Sequence, residues 1–150
     1  MLVKRVSIGM AVLGAVVAGS VGAGAQDVYK NREALMKGFG NRMNVVKGVV
    51  AENKGTLPDA ATAAQEIAAE ADKIPSMFPQ GTNEGDSEAL PVIWEKWSDF
   101  EAKAQNMQEL AAKLAAAAGT GDQTATLAAF GTLGKEGCGG CHEVFRQKKS

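Results

Sequence analysis

A chain of 150 residues with 16 Lys and Arg against 17 Asp and Glu carries a formal charge of −1, which excludes the basic surface that broad nucleic-acid binding requires. Its length supports one domain around one core. Two cysteines and one histidine can furnish at most one Cys/His site.

Residues 1–25 read as a cleaved secretory signal peptide. Lys4 and Arg5 form a short positive region, an apolar stretch follows from about Val6 to Val21, and Ala23-Gly24-Ala25 offers a small-residue cleavage site before Gln26. An uncleaved membrane anchor is the alternative, because the apolar run approaches spanning length. Its Gly- and Ala-rich make-up and its A-x-A end favour cleavage. No later segment is apolar enough to cross a bilayer. The mature domain, residues 26–150, is therefore expected to be soluble and periplasmic, with no stable membrane insertion. Loss of Lys4 and Arg5 moves the formal charge from −1 to −3.

Four helical stretches follow, separated by Gly, Pro and Asn. The first is predicted from about Asp27 to Glu52, with Val28, Leu35, Phe39, Val46 and Val50 on one stripe and Met36 and Met43 beside it. Asn53-Lys54-Gly55 ends it. The second begins near Pro58 and Asp59 and repeats Ala60, Ala64, Ile67, Ala71 and Ile74, a face so small that a neighbour must approach closely. Pro75 stops it, and Pro79 to Ser87 is a loop rich in Gly, Asn and Asp. Pro91 opens the third, whose Ile93, Trp97, Phe100, Ala104, Met107, Ala111 and Leu114 recur in steps of four and three. A break is expected over Ala115 to Gly121. Asp122 then caps the fourth, about Gln123 to Gln147, with a seam of Leu127, Gly131, Gly134, Cys138, Cys141 and Phe145. No β pattern competes. The fold class is all-α, an antiparallel up-down-up-down four-helix bundle. Gly131, Gly134 and Gly137 weaken the last helix. Close helix packing would explain them, but space for a flat macrocycle is the favoured reading.

The chemistry lies at the end of that helix, in Cys138-Gly139-Gly140-Cys141-His142. C-x-x-C-H is the attachment signature of c-type haem: two thiols add across the two vinyl groups of one porphyrin, and the neighbouring imidazole reaches its iron. In a helix these residues stand at i, i+3 and i+4, on one side. Two exported cysteines this close could form a redox-active bridge but not a structural staple. The adjacent histidine favours thioethers instead. One covalent haem c is the cofactor expected.

A C-terminal C-x-x-C-H on the last helix of such a bundle, continuing Glu143-Val144-Phe145-Arg146, resembles the class II cytochromes c, the cytochrome c′ family, over the whole mature length. The segment Asn31-Arg32-Glu33-Ala34-Leu35-Met36-Lys37 is most similar to the low-spin members of that family. The resemblance implies that Met36 is the second axial iron ligand, opposite His142, and that Arg32 contacts a haem propionate. On residue type alone, Met36 reads first as core filler, and Arg32 equally as a solvated helix-end arginine. Met43, Met77 and Met107 read as packing; Phe39, Phe78 and Phe145 as haem-packing or core aromatics; Trp94 and Trp97 as core anchors.

The expectation is an electron-transfer cytochrome, not an enzyme, with His142 and Met36 on the iron. Redox proteins of an exported chain would be its partners, and it would be a monomer or homodimer. The alternative is a five-coordinate protein binding nitric oxide or another gas, with Met36 as a steric lid. A haem-free bundle with a redox-active C-x-x-C is a third reading, for which the βαβ context is missing.

Overall fold

The computed structural model describes residues 21–83 and 87–148, with side chains from residue 26 onward. The signal segment falls outside them except for residues 21–25, which form the start of helix α1 (Val21–Glu52). Asn53 at φ 53° and Gly55 at φ 91° turn the chain out of α1, and the Lys54 N–H donates to Gly48 O at 2.8 Å. Helix α2 (Leu57–Ala71) opens with a capping box. The Thr56 side chain receives the Asp59 N–H at 3.4 Å, and the Asp59 carboxylate receives the Thr56 N–H at 2.8 Å. The sequence reading placed the start at Pro58 and Asp59 but overlooked Thr56 as the cap.

A 3₁₀ turn (Pro75–Met77) leads into the loop before α3 (Val92–Glu95) and α4 (Trp97–Gly119). Lys96, at φ −120° and ψ 48°, interrupts what the sequence suggested was one helix. The seam survives the interruption: Ile93, Phe100, Ala104, Met107, Ala111 and Leu114 are all buried, with Trp97 at its edge. The break expected from Ala115 does not occur until Thr120, because the alanine run is a strong helix former. Asp122 caps α5 (Gln123–Thr132) as expected, accepting the Ala125 N–H at 2.9 Å. A π-helical segment, Leu133–Gly139, joins α5 to α6 (Gly140–Phe145).

Packing partners establish the up-down-up-down order. Helix α1 lies against α2 and α5, α2 against α4, and α4 against α5, the π segment and α6. Gln123 Nε2 reaches Val49 O and Val50 O at 3.2 and 3.4 Å, so the start of α5 meets the end of α1. Arg42 of α1 pairs with Glu66 and Glu70 of α2 at 2.7 and 3.0 Å. The start of α1, the α2–α4 loop and α6 therefore share the opposite end. An antiparallel bridge between Ala89 and Arg146 is the only β pairing among the described residues. None of the helices among them is long and apolar enough to cross a membrane.

The fourth seam needs correcting. Leu127 is 47% exposed and Gly131 faces open space, whereas Thr126, Leu133 and Gly137 are buried. Extrapolating an α-helical period backward from the cysteines fails because the π segment turns more slowly and shifts the inward face by about one residue. The glycines divide accordingly. A Cβ on Gly137 would lie 2.9 Å from Leu133 Cδ1 and 3.6 Å from the Met107 Cα, so here close helix packing wins over space for a macrocycle.

Opposite effects follow from adding one methyl group. Gly131→Ala should stabilise the protein by up to about 1 kcal/mol through helix propensity. Gly137→Ala should destabilise it by about 1 kcal/mol, because overpacking against Leu133 outweighs that gain. Urea unfolding of both variants checks the two signs.

Candidate functional site

Cys138 lies in the π segment, while Cys141 and His142 lie in the first turn of α6. Both cysteine side chains are half-buried against the edge of the core and both are free thiols. Burial pushes the Cys138 thiol up. It pushes Cys141 from about 9 to about 11, with the Lys103 ammonium opposing part of the rise. Both thiols hold their protons at neutral pH. A redox-active C-x-x-C needs the reverse, a stabilised thiolate, so the haem-free redox reading loses its chemistry.

His142 sits at the surface. Desolvation of its ring by the surrounding protein, together with Arg146, lowers its basicity, against the pull of Glu88. A neutral imidazole is the metal-binding form. Among the described residues no three His, Cys, Asp or Glu side chains converge as ligands for a metal ion. Two thiols set apart from an imidazole suit a porphyrin, which is tethered at its rim and ligated at its centre.

One side chain of α1 reaches the π segment that carries Cys138. A Cβ built on Gly134 would be 3.8 Å from Met43 Cε. Met36 lies seven residues, or roughly 10.5 Å, back along α1 at 1.5 Å per residue, and the two helices run antiparallel. Met36 and Met43 are both half-buried at the edge of the core, as is Met77, while Met107 is buried in the α4 seam.

Arg32 is not a solvated helix-end residue; it is only 6% exposed. Nε donates to Met77 O at 3.0 Å, Nη1 to Thr82 O at 3.1 Å and Ser87 Oγ at 3.0 Å, and Nη2 to Thr82 Oγ1 at 2.7 Å. Its Cζ lies 4.0 Å from the centroid of the Phe78 ring, a cation–π contact. Burial lowers its pKa. Thr82 and Ser87 escaped the sequence reading; the one available signal was their place in a polar loop after two prolines.

Phe39, Phe78 and Phe145 are all buried. Phe100 gathers Phe78 at 4.9 Å, Phe145 at 5.3 Å and Trp97 at 5.5 Å between ring centroids. Phe145 anchors α6 three residues beyond His142. Trp94 Nε1 donates to Phe78 O at 3.0 Å, which ties α3 to the loop. Beside the motif, an open groove of about 510 Å³ is lined by Lys103, Asn106, Lys135, Glu136 and Glu143. Its charged walls suit solvent better than a flat apolar ring.

The family model for Cytochrome C′ matches residues 27–146. Cytochrome c-554 of Cereibacter sphaeroides is 41% identical over 126 residues, covering 81% of this chain and 81% of the relative. A solved cytochrome c′ with ligand-controlled dimer dissociation superposes at a TM-score of 0.75 with 27% identity, covering 83% of this chain and 97% of that one. A nitric oxide complex of a mutant cytochrome c prime from Alcaligenes xylosoxidans superposes at 0.74 with 28% identity and the same coverage.

The raised Cys141 pKa has two consequences in chain expressed without haem. Iodoacetamide should label Cys141 slowly at pH 7 and progressively faster as pH approaches about 11, which peptide mass spectrometry would follow. Between about 9 and about 11 the folded thiol keeps a proton that the unfolded one has lost, so stability to urea should fall as pH rises across that window.

Proposed function

This chain belongs to the cytochrome c′ family, whose members carry covalently bound haem c, and we propose that it binds a small gas such as nitric oxide at one such haem. The attachment points are Cys138 and Cys141, and the iron's protein ligand is His142. The observation that carries this assignment is the pair of cysteines three residues apart, both half-buried at the edge of the core and followed directly by an imidazole. When bound, the haem supplies an iron that exchanges one electron and accepts a small ligand. The chain's own residues do the rest. Cys138 and Cys141 prevent loss of the group, and His142 takes one axial side. Arg32 commits four of its five N–H donors to the loop, and the fifth, on Nη2, is the one a haem carboxylate would take.

The nitric oxide complex of a related fold favours the gas reading. On it, Met36 would crowd the iron's open position as a steric lid without binding it. Met36 as a permanent ligand draws no support from the relatives and is the second reading. What favours it is that Met36 is half-buried on α1, two turns before Met43, whose Cε would lie 3.8 Å from a Cβ on Gly134. In that form the protein transfers electrons at a raised potential, because a thioether opposite imidazole favours reduced iron.

Export to the periplasm rests on the Lys4 to Ala25 pattern. Redox proteins of an exported chain are the partners in the second reading. The ligand-controlled dimer among the solved neighbours makes a homodimer the assembly to test first.

Cys138→Ala/Cys141→Ala should abolish the covalent haem mass. For the sixth position, the gas reading expects high-spin ferric spectra, nitric oxide uptake by the ferrous protein, and association at least about tenfold faster in Met36→Ala as the lid is removed. A low-spin wild type that turns high-spin in Met36→Ala would instead establish methionine ligation.

A further inference from the structure

We propose that Arg32 is a positioning residue for His142, acting through the strap Ser87–Leu90 so that the first helix sets the orientation of the iron's imidazole. The inference rests on the reading of His142 as the iron ligand.

Helix α6 is the six-residue last stretch of the helix that runs on from the π segment. Its far end is fixed from outside. The Leu90 N–H donates to Phe145 O at 3.0 Å, and the Gln147 N–H donates to Glu88 O at 2.8 Å. Arg146 Nε meets Glu88 Oε2 at 2.6 Å. The Arg146 N–H donates at 3.2 Å to the carbonyl of His142 itself. Strap and helix end therefore form one hydrogen-bonded unit, with Ala89 and Arg146 as the paired residues.

Ser87 holds that unit to the bundle. Its Oγ receives both Arg32 Nη1, at 3.0 Å, and the Ala89 N–H, at 3.3 Å. Arg32 is well suited as the fixed end. It is buried, it sits under the Phe78 ring, and its planar fork grips the loop at three residues. The path thus runs by hydrogen bond from Arg32 to Ser87, along the strap to Glu88 and Leu90, across to Gln147 and Phe145, and from the Arg146 N–H back to the His142 carbonyl. An imidazole ligand needs a second constraint on its orientation, and here backbone fixation supplies it.

The test uses holoprotein with Ser87→Ala, Arg32→Gln and Ser87→Thr, the last retaining the hydroxyl. Mass spectrometry should show covalent haem in all of them. In Ser87→Ala and Arg32→Gln, the paramagnetically shifted imidazole proton resonances of His142 should move. The Arg146 and Gln147 amides should also exchange roughly tenfold faster, in keeping with the loss of a charge-assisted hydrogen bond. Ser87→Thr should restore both. Faster exchange with unmoved imidazole resonances in Ser87→Ala would overturn the proposal, leaving the strap a purely structural tie. Should Arg32→Gln fail to fold, Ser87→Ala decides alone, since Ser87 lies near the surface. A wild-type holoprotein without shifted imidazole resonances would remove the His142 reading itself, a failure distinct from that of the relay.

Discussion

One constraint of phase governs the last quarter of this molecule. Leu133 and Phe145 are both buried, at 0% and 4% exposure, and twelve residues separate them. In an unbroken α-helix twelve residues make about three and one-third turns, so Phe145 would point roughly a third of a turn away from the core. The π segment absorbs that mismatch. Its slower winding lets Thr126, Leu133 and Gly137 face inward upstream while Cys141 and Phe145 remain at the core downstream. Glycine makes the wide turn tolerable, since Gly134, Gly137, Gly139 and Gly140 have little side-chain freedom to lose and no bulk to relocate. Without that segment the bundle could bury its seam or present its motif, but not both.

The same constraint separates what was legible in the sequence from what was not. Helix count, antiparallel order and most of the seam positions on α1, α2 and α4 could be read from apolar spacing, because those segments keep an ordinary helical period. The seam of the last helix could not. Extrapolation from Cys138 backward gave Gly134, Gly131 and Leu127, and nothing in one sequence marks a π segment beyond a cluster of glycines. At the site, C-x-x-C-H is visible at once because its chemistry fixes its spacing. Arg32 was visible only through a resemblance, since its role depends on Thr82 and Ser87, 50 and 55 residues away. Contacts across such distances have no local period to announce them.

Burial explains why Arg32 and the thiols behave as they do. A guanidinium removed from water must satisfy its donors, and the three loop residues and an aromatic face supply that satisfaction. The thiols meet the same desolvation with the opposite outcome. Having no strong positive partner beyond Lys103, they keep their protons and become neutral. The same desolvation thus leaves one group a fixed cation and the other two neutral.

Helix ends complete the division. At the far end, α2 and α5 are capped by Thr56 and Asp122, and Gln123 stitches α5 to α1. At the motif end, α3 begins without a side-chain cap, while the π segment and α6 continue directly from α5. Their order depends on the strap, on Trp94 and on the rings around Phe100. The motif end is thus held by contacts between distant segments, and the other end by caps local to each helix.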